Sequence, residues 1–186
     1  MRERNPFGYF FLTGLLAGLF IMNLGKSILL ENTGLLDENT LRQLVSMNPD
    51  SSALFVFVLR RRGMEFLLLV ILATTYLGTA ACVFTTLWYG FSCGTFLAAG
   101  VLRYGVKGLF FVLAGLLPQY LLYGPMLYGL LLWCDKTCRM IYRKEKAPVL
   151  WERMLSLIIL LAALIGGCLL ESFVNPSILK GFAKLL

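Results

Sequence analysis

The residues able to do chemistry in this chain sit in unusual company. Lys107, Gln119 and Glu171 are ionisable or polar, yet they lie in or at the ends of long apolar stretches. Such groups inside a membrane are functional candidates by default, as ion pairs, relays or assembly contacts. Glu171 has two readings. It either reaches the interface or stays neutral near a helix end, or it pairs with a base such as Arg103 or Lys107. Arg60, Arg61 and Arg62 are consecutive and suit either lipid phosphates or the docking of a partner. Cys134 and Cys138, spaced CDKTC, are the one close pair among five cysteines that also include Cys82, Cys93 and Cys168. Two thiols do not complete a zinc site, and ordinary reduced cysteines are the plainer reading. No metal site and no cofactor is expected.

Catalysis is hard to build from this set. The chain has no histidine, which excludes histidine-based triads, HExxH zinc sites and histidine-ligated haem within it. Asp37, Asp50 and Asp135 all lie outside the apolar segments, so no intramembrane aspartate pair forms. No phosphate-binding GxxxxGK[ST] loop is present. A non-enzymatic protein is expected.

Composition points to the bilayer. Hydrophobic residues make up 59% of the 186 positions, and mean hydropathy is +0.78; a soluble domain is typically about 45–50% apolar. The net charge of +7 flanks apolar segments without any recognition module. Headgroup contact and topology therefore explain it better than nucleic acid does.

The expected fold class is all-α, a single polytopic membrane helix bundle over residues 1–186. A span needs about 20 apolar residues, and five are expected, at about 7–30, 65–84, 86–102, 106–133 and 154–174. The first is read as a retained span, being longer than a signal-peptide core and lacking a small-residue cleavage site after it. Residues 31–63 form an exposed loop, with a short helix at Asp37–Val45 and an apolar interfacial helix running into Arg60–Arg62. Spans two and three are joined by almost no linker, as a tight hairpin. Span four carries Pro118 and Pro125, which remove ladder hydrogen bonds and predict a kink or a break into half-helices. Asn175-Pro176 is expected to end span five, with a short amphipathic tail after it.

Orientation rests on charge. Five spans place eight bases on each side: Arg2, Arg4, Lys136, Arg139, Arg143, Lys144, Lys146 and Arg153 against Arg42, Arg60–Arg62, Arg103, Lys107, Lys180 and Lys184. Their density in the amino-terminal tail and the 134–150 loop favours those two regions as cytoplasmic. The amino terminus is then inside, and 31–63 is extracytoplasmic. Two GxxxG patterns, Gly14 with Gly18 and Gly90 with Gly94, offer flat faces for close helix approach, either within the chain or between copies. Ser92 sits between the second pair and is able to bond across helices.

Several of these marks fall together. The run Gly90-Phe91-Ser92-x-Gly94, then Tyr104-Gly105-Val106-Lys107-Gly108, then Leu117-Pro118-Gln119 with Pro125, and the closing Glu171-Ser-Phe-Val-Asn-Pro176 resemble the stage II sporulation protein M family, over about Arg4 to Pro176. The resemblance implies a polytopic protein of endospore-forming bacteria, in the cell membrane on the mother-cell side of the sporulation septum. It implies a scaffold that localises peptidoglycan hydrolases for septal thinning and engulfment. Its partners would be stage II sporulation proteins P and D, with membrane lipid around it. The wider family keeps a second expectation open, a permease-like membrane subunit of a transporter. In the scaffold reading, residues 31–63 with Arg60, Arg61 and Arg62 meet the partner. Lys107, Gly108, Pro118, Gln119, Pro125 and Glu171 join the glycine pairs and Ser92 in packing and assembly.

Overall fold

A computed structural model describes residues 7–25, 50–143 and 150–183. Among them the chain is all-helical, with no strand. In order come α1 (Phe7–Leu24), α2 (Ser51–Ala73), α3 (Gly78–Arg143), α4 (Leu150–Leu169), a π-turn (Leu170–Val174) and α5 (Asn175–Ala183). Three stretches are long and apolar enough to cross a membrane: Phe7–Leu24, Gly78–Ile141 and Trp151–Leu179. The class is all-α, with three stretches able to span a membrane. The short helix expected at Asp37–Val45 lies outside the described residues.

The helix boundaries follow local chemistry. Asp50 caps α2, its Oδ1 accepting from Ser52 N–H at 3.0 Å, as a short carboxylate at the N-cap commonly does. The helix then runs unbroken through Arg60–Arg62, so the arginines sit inside it and not at its end. Thr74 and Thr75 close it. Their hydroxyls donate back to the carbonyls of Ile71 at 2.7 Å and Leu72 at 2.8 Å. The chain therefore reverses at residues 74–77, about ten residues before the hairpin expected near Thr85, and α3 is helical there.

The Gly78–Arg143 helix is not one rod. Gly105 has φ 59° and ψ −136°, a conformation open to glycine and costly for any residue with a Cβ. A Cβ on Gly100 would lie 2.9 Å from the Gly108 carbonyl oxygen. Residues eight apart in a straight helix are about 12 Å apart along the axis, so the chain bends sharply here. It divides into a first arm, 78–104, and a second arm, 106–143. Helical dihedrals continue through Pro118 and Pro125. The break expected at the prolines is at Gly105 instead, where the backbone turns without steric cost. Asn175-Pro176 likewise does not end the last span. The π-turn carries the helix into α5, and Pro176 occupies its first turn, where a missing N–H is tolerated.

Packing divides the chain into two units, one drawn from 1–48, 83–115 and 178–186, the other from 49–82 and 116–177. In the first, the two GxxxG patterns face each other. A Cβ on Gly14 or Gly18 would strike the carbonyl oxygen of Leu87 or Phe91, and one on Gly90 or Gly94 that of Phe11 or Leu15. Met22, Ala98 and Ala99 continue this seam, with Leu19 and Leu102 against them. Ser92 is half-buried, and its main-chain carbonyl accepts from Thr95 Oγ1 at 2.8 Å. The second unit holds most of the polar chemistry.

Candidate functional site: a polar cluster among apolar helices

Three elements of the second unit converge on Glu171. The π-turn carries it, the second arm of α3 brings Tyr123, and α2 brings Arg62. A π-turn adds one residue to the helical repeat and rotates the side chains after it, which is why such turns gather at functional positions. Ser172, fully buried in the same turn, donates to the Cys168 carbonyl at 2.6 Å and so holds the widened turn in place.

Tyr123 is central. Its hydroxyl donates to Glu171 Oε2 at 2.9 Å and lies 3.3 Å from Cys168 Sγ. A phenol has one proton. With that proton on the carboxylate, the thiol is the donor in the second contact. The ring can lie flat on α4 only because residue 167 is glycine: a Cβ there would fall 2.7 Å from the ring Cδ1. On its other side, the Arg62 guanidinium stacks over the ring with Cζ 5.0 Å from the centroid, a cation–π geometry. Arg62 Nε is 3.7 Å from Glu171 Oε2, and its Nη1 is 3.6 Å from Glu65 Oε2. One cation is thus shared by two carboxylates and an aromatic face. Further along the same helices, Asn175 donates its amide to Gln119 Oε1 at 3.4 Å, both side chains being buried.

A second polar group marks the opposite end of this unit. Arg139 pairs with Asp135 at 2.9 Å, and Thr79 Oγ1 donates to Asp135 Oδ1 at 3.1 Å. Arg153 donates to Thr137 Oγ1 and stacks on Trp133 with Cζ 5.2 Å from the ring. From this second end inward runs a row of buried thiols. Cys138 donates to the Thr75 carbonyl at 3.2 Å, Cys134 to Leu69 at 3.5 Å and Cys82 to Leu131 at 3.7 Å. None of the five cysteines is in a disulfide, and no cluster of three metal-ligating side chains occurs among the described residues.

Comparison with protein-family models, curated proteins and solved structures gave no match.

The sequence-derived residues sort unevenly on this structure. Gln119 sits in a buried contact and Glu171 in a half-buried one. The partner of Glu171 is Arg62, taken from the arginine triplet expected to dock a partner, and not Arg103 or Lys107. Lys107 is exposed at the start of the second arm, Pro125 is exposed and Pro118 half-buried. Gly108 packs on the backbone of Gly100. Tyr123, Gly167 and Asn175 were missed. A tyrosine in an apolar helix gives no sign of a partner, although Asn175 beside Pro176 could have been weighed with Gln119 as a second amide at membrane depth.

Proposed function

We propose that this chain is a non-enzymatic membrane scaffold of endospore formation, which localises peptidoglycan hydrolases for septal thinning and engulfment. The observation that carries the reading is that two groups of polar side chains on the second unit's apolar helices are engaged with one another. Arg62, Glu171 and Tyr123 form one group, Gln119 and Asn175 another. Groups held this way brace a bundle, and a braced bundle suits a platform for partners. The sequence marks shared with the stage II sporulation protein M family supply the cellular context. Stage II sporulation proteins P and D are the proposed partners, met by residues 31–50 on the extracytoplasmic side of the mother-cell septal membrane, since residues 51–63 open α2.

Deletion followed by microscopy of the sporulation septum tests this. Arrest at septal thinning is the expected phenotype, and normal spores would remove the proposal. Replacing residues 31–50 with a Gly/Ser linker should also abolish co-purification of the hydrolase partner.

A transporter subunit is the second reading, favoured by a carboxylate seated on a π-turn inside an apolar helix. A neighbouring gene for an ATP-binding cassette protein would support it, and sporulation-timed expression would favour the scaffold.

A further inference from the structure

The arginine triplet of α2 is divided by the fold. Arg62 turns inward to Glu171, while Arg60 and Arg61 are exposed. Among the described residues neither has an ion-pair partner. The exposed surface around them is apolar: Val56, Phe57, Met64, Leu67 and Leu68 are each 57% or more exposed. α2 is not among the three stretches able to cross a membrane by composition, but it packs on α4 and the π-turn, which belong to one of them, so its outward surface meets lipid beside that span.

Their depth follows from the other end of the same unit. Asp135, Arg139 and Arg153, with the reversal at Thr74 and Thr75, belong at a hydrocarbon boundary, because charge is expensive beyond it. Arg60 and Arg61 lie about 20 Å along α2 from Ala73, at about 1.5 Å per residue. The hydrocarbon core is about 30 Å thick, so their backbone stops about 10 Å short of the opposite headgroups. Sliding the membrane to relieve them would submerge Asp135, Arg139 and Arg153 instead. Helical side chains lean toward the helix amino terminus, and for α2 that is the nearer headgroup layer, so both arginines reach the right way. An unpaired arginine at such depth is costly. A counter-anion lowers that cost, and in a lipid-facing setting the anion at hand is a phosphate, which the planar guanidinium fork matches.

We propose that Arg60 and Arg61 together bind the phosphate of an anionic phospholipid, drawn down beside α2 so that the bilayer is locally thin there. Two adjacent cations, with the one nearby carboxylate, Glu65, already engaged by Arg62, favour a lipid of net negative charge over a zwitterionic one. This inference rests on the membrane reading of the chain alone and stands or falls separately from the scaffold proposal.

The test uses the full chain reconstituted in phosphatidylcholine nanodiscs with and without phosphatidylglycerol. The wild type is expected to melt several degrees higher when phosphatidylglycerol is present. The double variant Arg60→Gln/Arg61→Gln should lose most of that gain, and Arg60→Lys/Arg61→Lys should keep part of it. A phosphatidylglycerol analogue with a photoreactive headgroup should label residues 57–64 of the wild type, a readout independent of whether any variant folds. An undiminished gain in the Gln variant, or label confined to other peptides, would overturn the proposal. So would loss of a protein partner from the Gln variant with lipid labelling of the wild type absent, an outcome that assigns the pair to that protein.

Discussion

The two units close their seams by different physics. In the first, Gly14 and Gly18 meet the backbone around Leu87 and Phe91, while Gly90 and Gly94 meet that around Phe11 and Leu15. Nothing but main chain stands between the helices. In the second, long side chains do the joining: Arg62 over Tyr123, Tyr123 onto Glu171, Asn175 onto Gln119, and thiols onto carbonyls. Lipid tails are as apolar as leucine, so helices in a membrane need either closer contact or polar contact to prefer each other. This chain uses one solution in each unit. The glycine seam tolerates no added atom. The side-chain seam tolerates shape changes but not an orphaned charge.

The contrast can be broken most severely at a glycine. Gly90→Leu places a branched side chain where Phe11 and Leu15 contribute backbone that cannot step aside. The expected loss exceeds about 4 kcal/mol, the exceptional end of single substitutions. The cysteines serve as built-in reporters. Cys93, in the first unit, should become rapidly alkylated while Cys168, in the second, stays protected. Equal exposure of both would show that the units do not fold by separate rules.

Arg62→Leu attacks the other seam. Removing one member of a buried ion pair costs about 3–5 kcal/mol. The lower end is expected here, since the two side chains keep 21% and 22% exposure. Cys168 alkylation should now rise and Cys93 should not change. The companion variant Arg62→Leu/Glu171→Leu sharpens the point, because losing both charges should recover most of the stability in a detergent melt. A double variant as weak as Arg62→Leu would mean that shape, and not charge, holds the cluster. The smallest effect is expected from Gln119→Leu, which leaves the Asn175 amide without its acceptor. Transmembrane hydrogen bonds average about 0.6 kcal/mol and reach about 1.7, so a drop of about 1 kcal/mol is expected by chemical unfolding in micelles.

Legibility in the sequence followed the same division. The glycine pairs were readable because a four-residue spacing states its own geometry. The all-helical class, with stretches long enough to span a membrane, was readable from apolar length. The pairing of Arg62 with Glu171 was not, since the two lie on elements far apart in the chain and either residue alone has many suitors. The reversal at Thr74 and Thr75 was hidden because threonine passes in an apolar segment. Its capping hydroxyl bonds appear only once the backbone is in place. Proline drew attention away from Gly105, although a missing hydrogen bond is easier to accommodate in a helix than a positive φ is for any residue but glycine.

The reciprocal glycine seam has a consequence in time. At synthesis rates of about 5–20 residues per second, the stretch from Gly18 to Gly94 takes roughly 4–15 s to make. For that interval α1 waits in the membrane with its contact face complete and its mate not yet born. Neighbouring ribosomes on one message each carry the same unmatched face, so crowding on a single transcript is where two nascent chains would exchange their first helices.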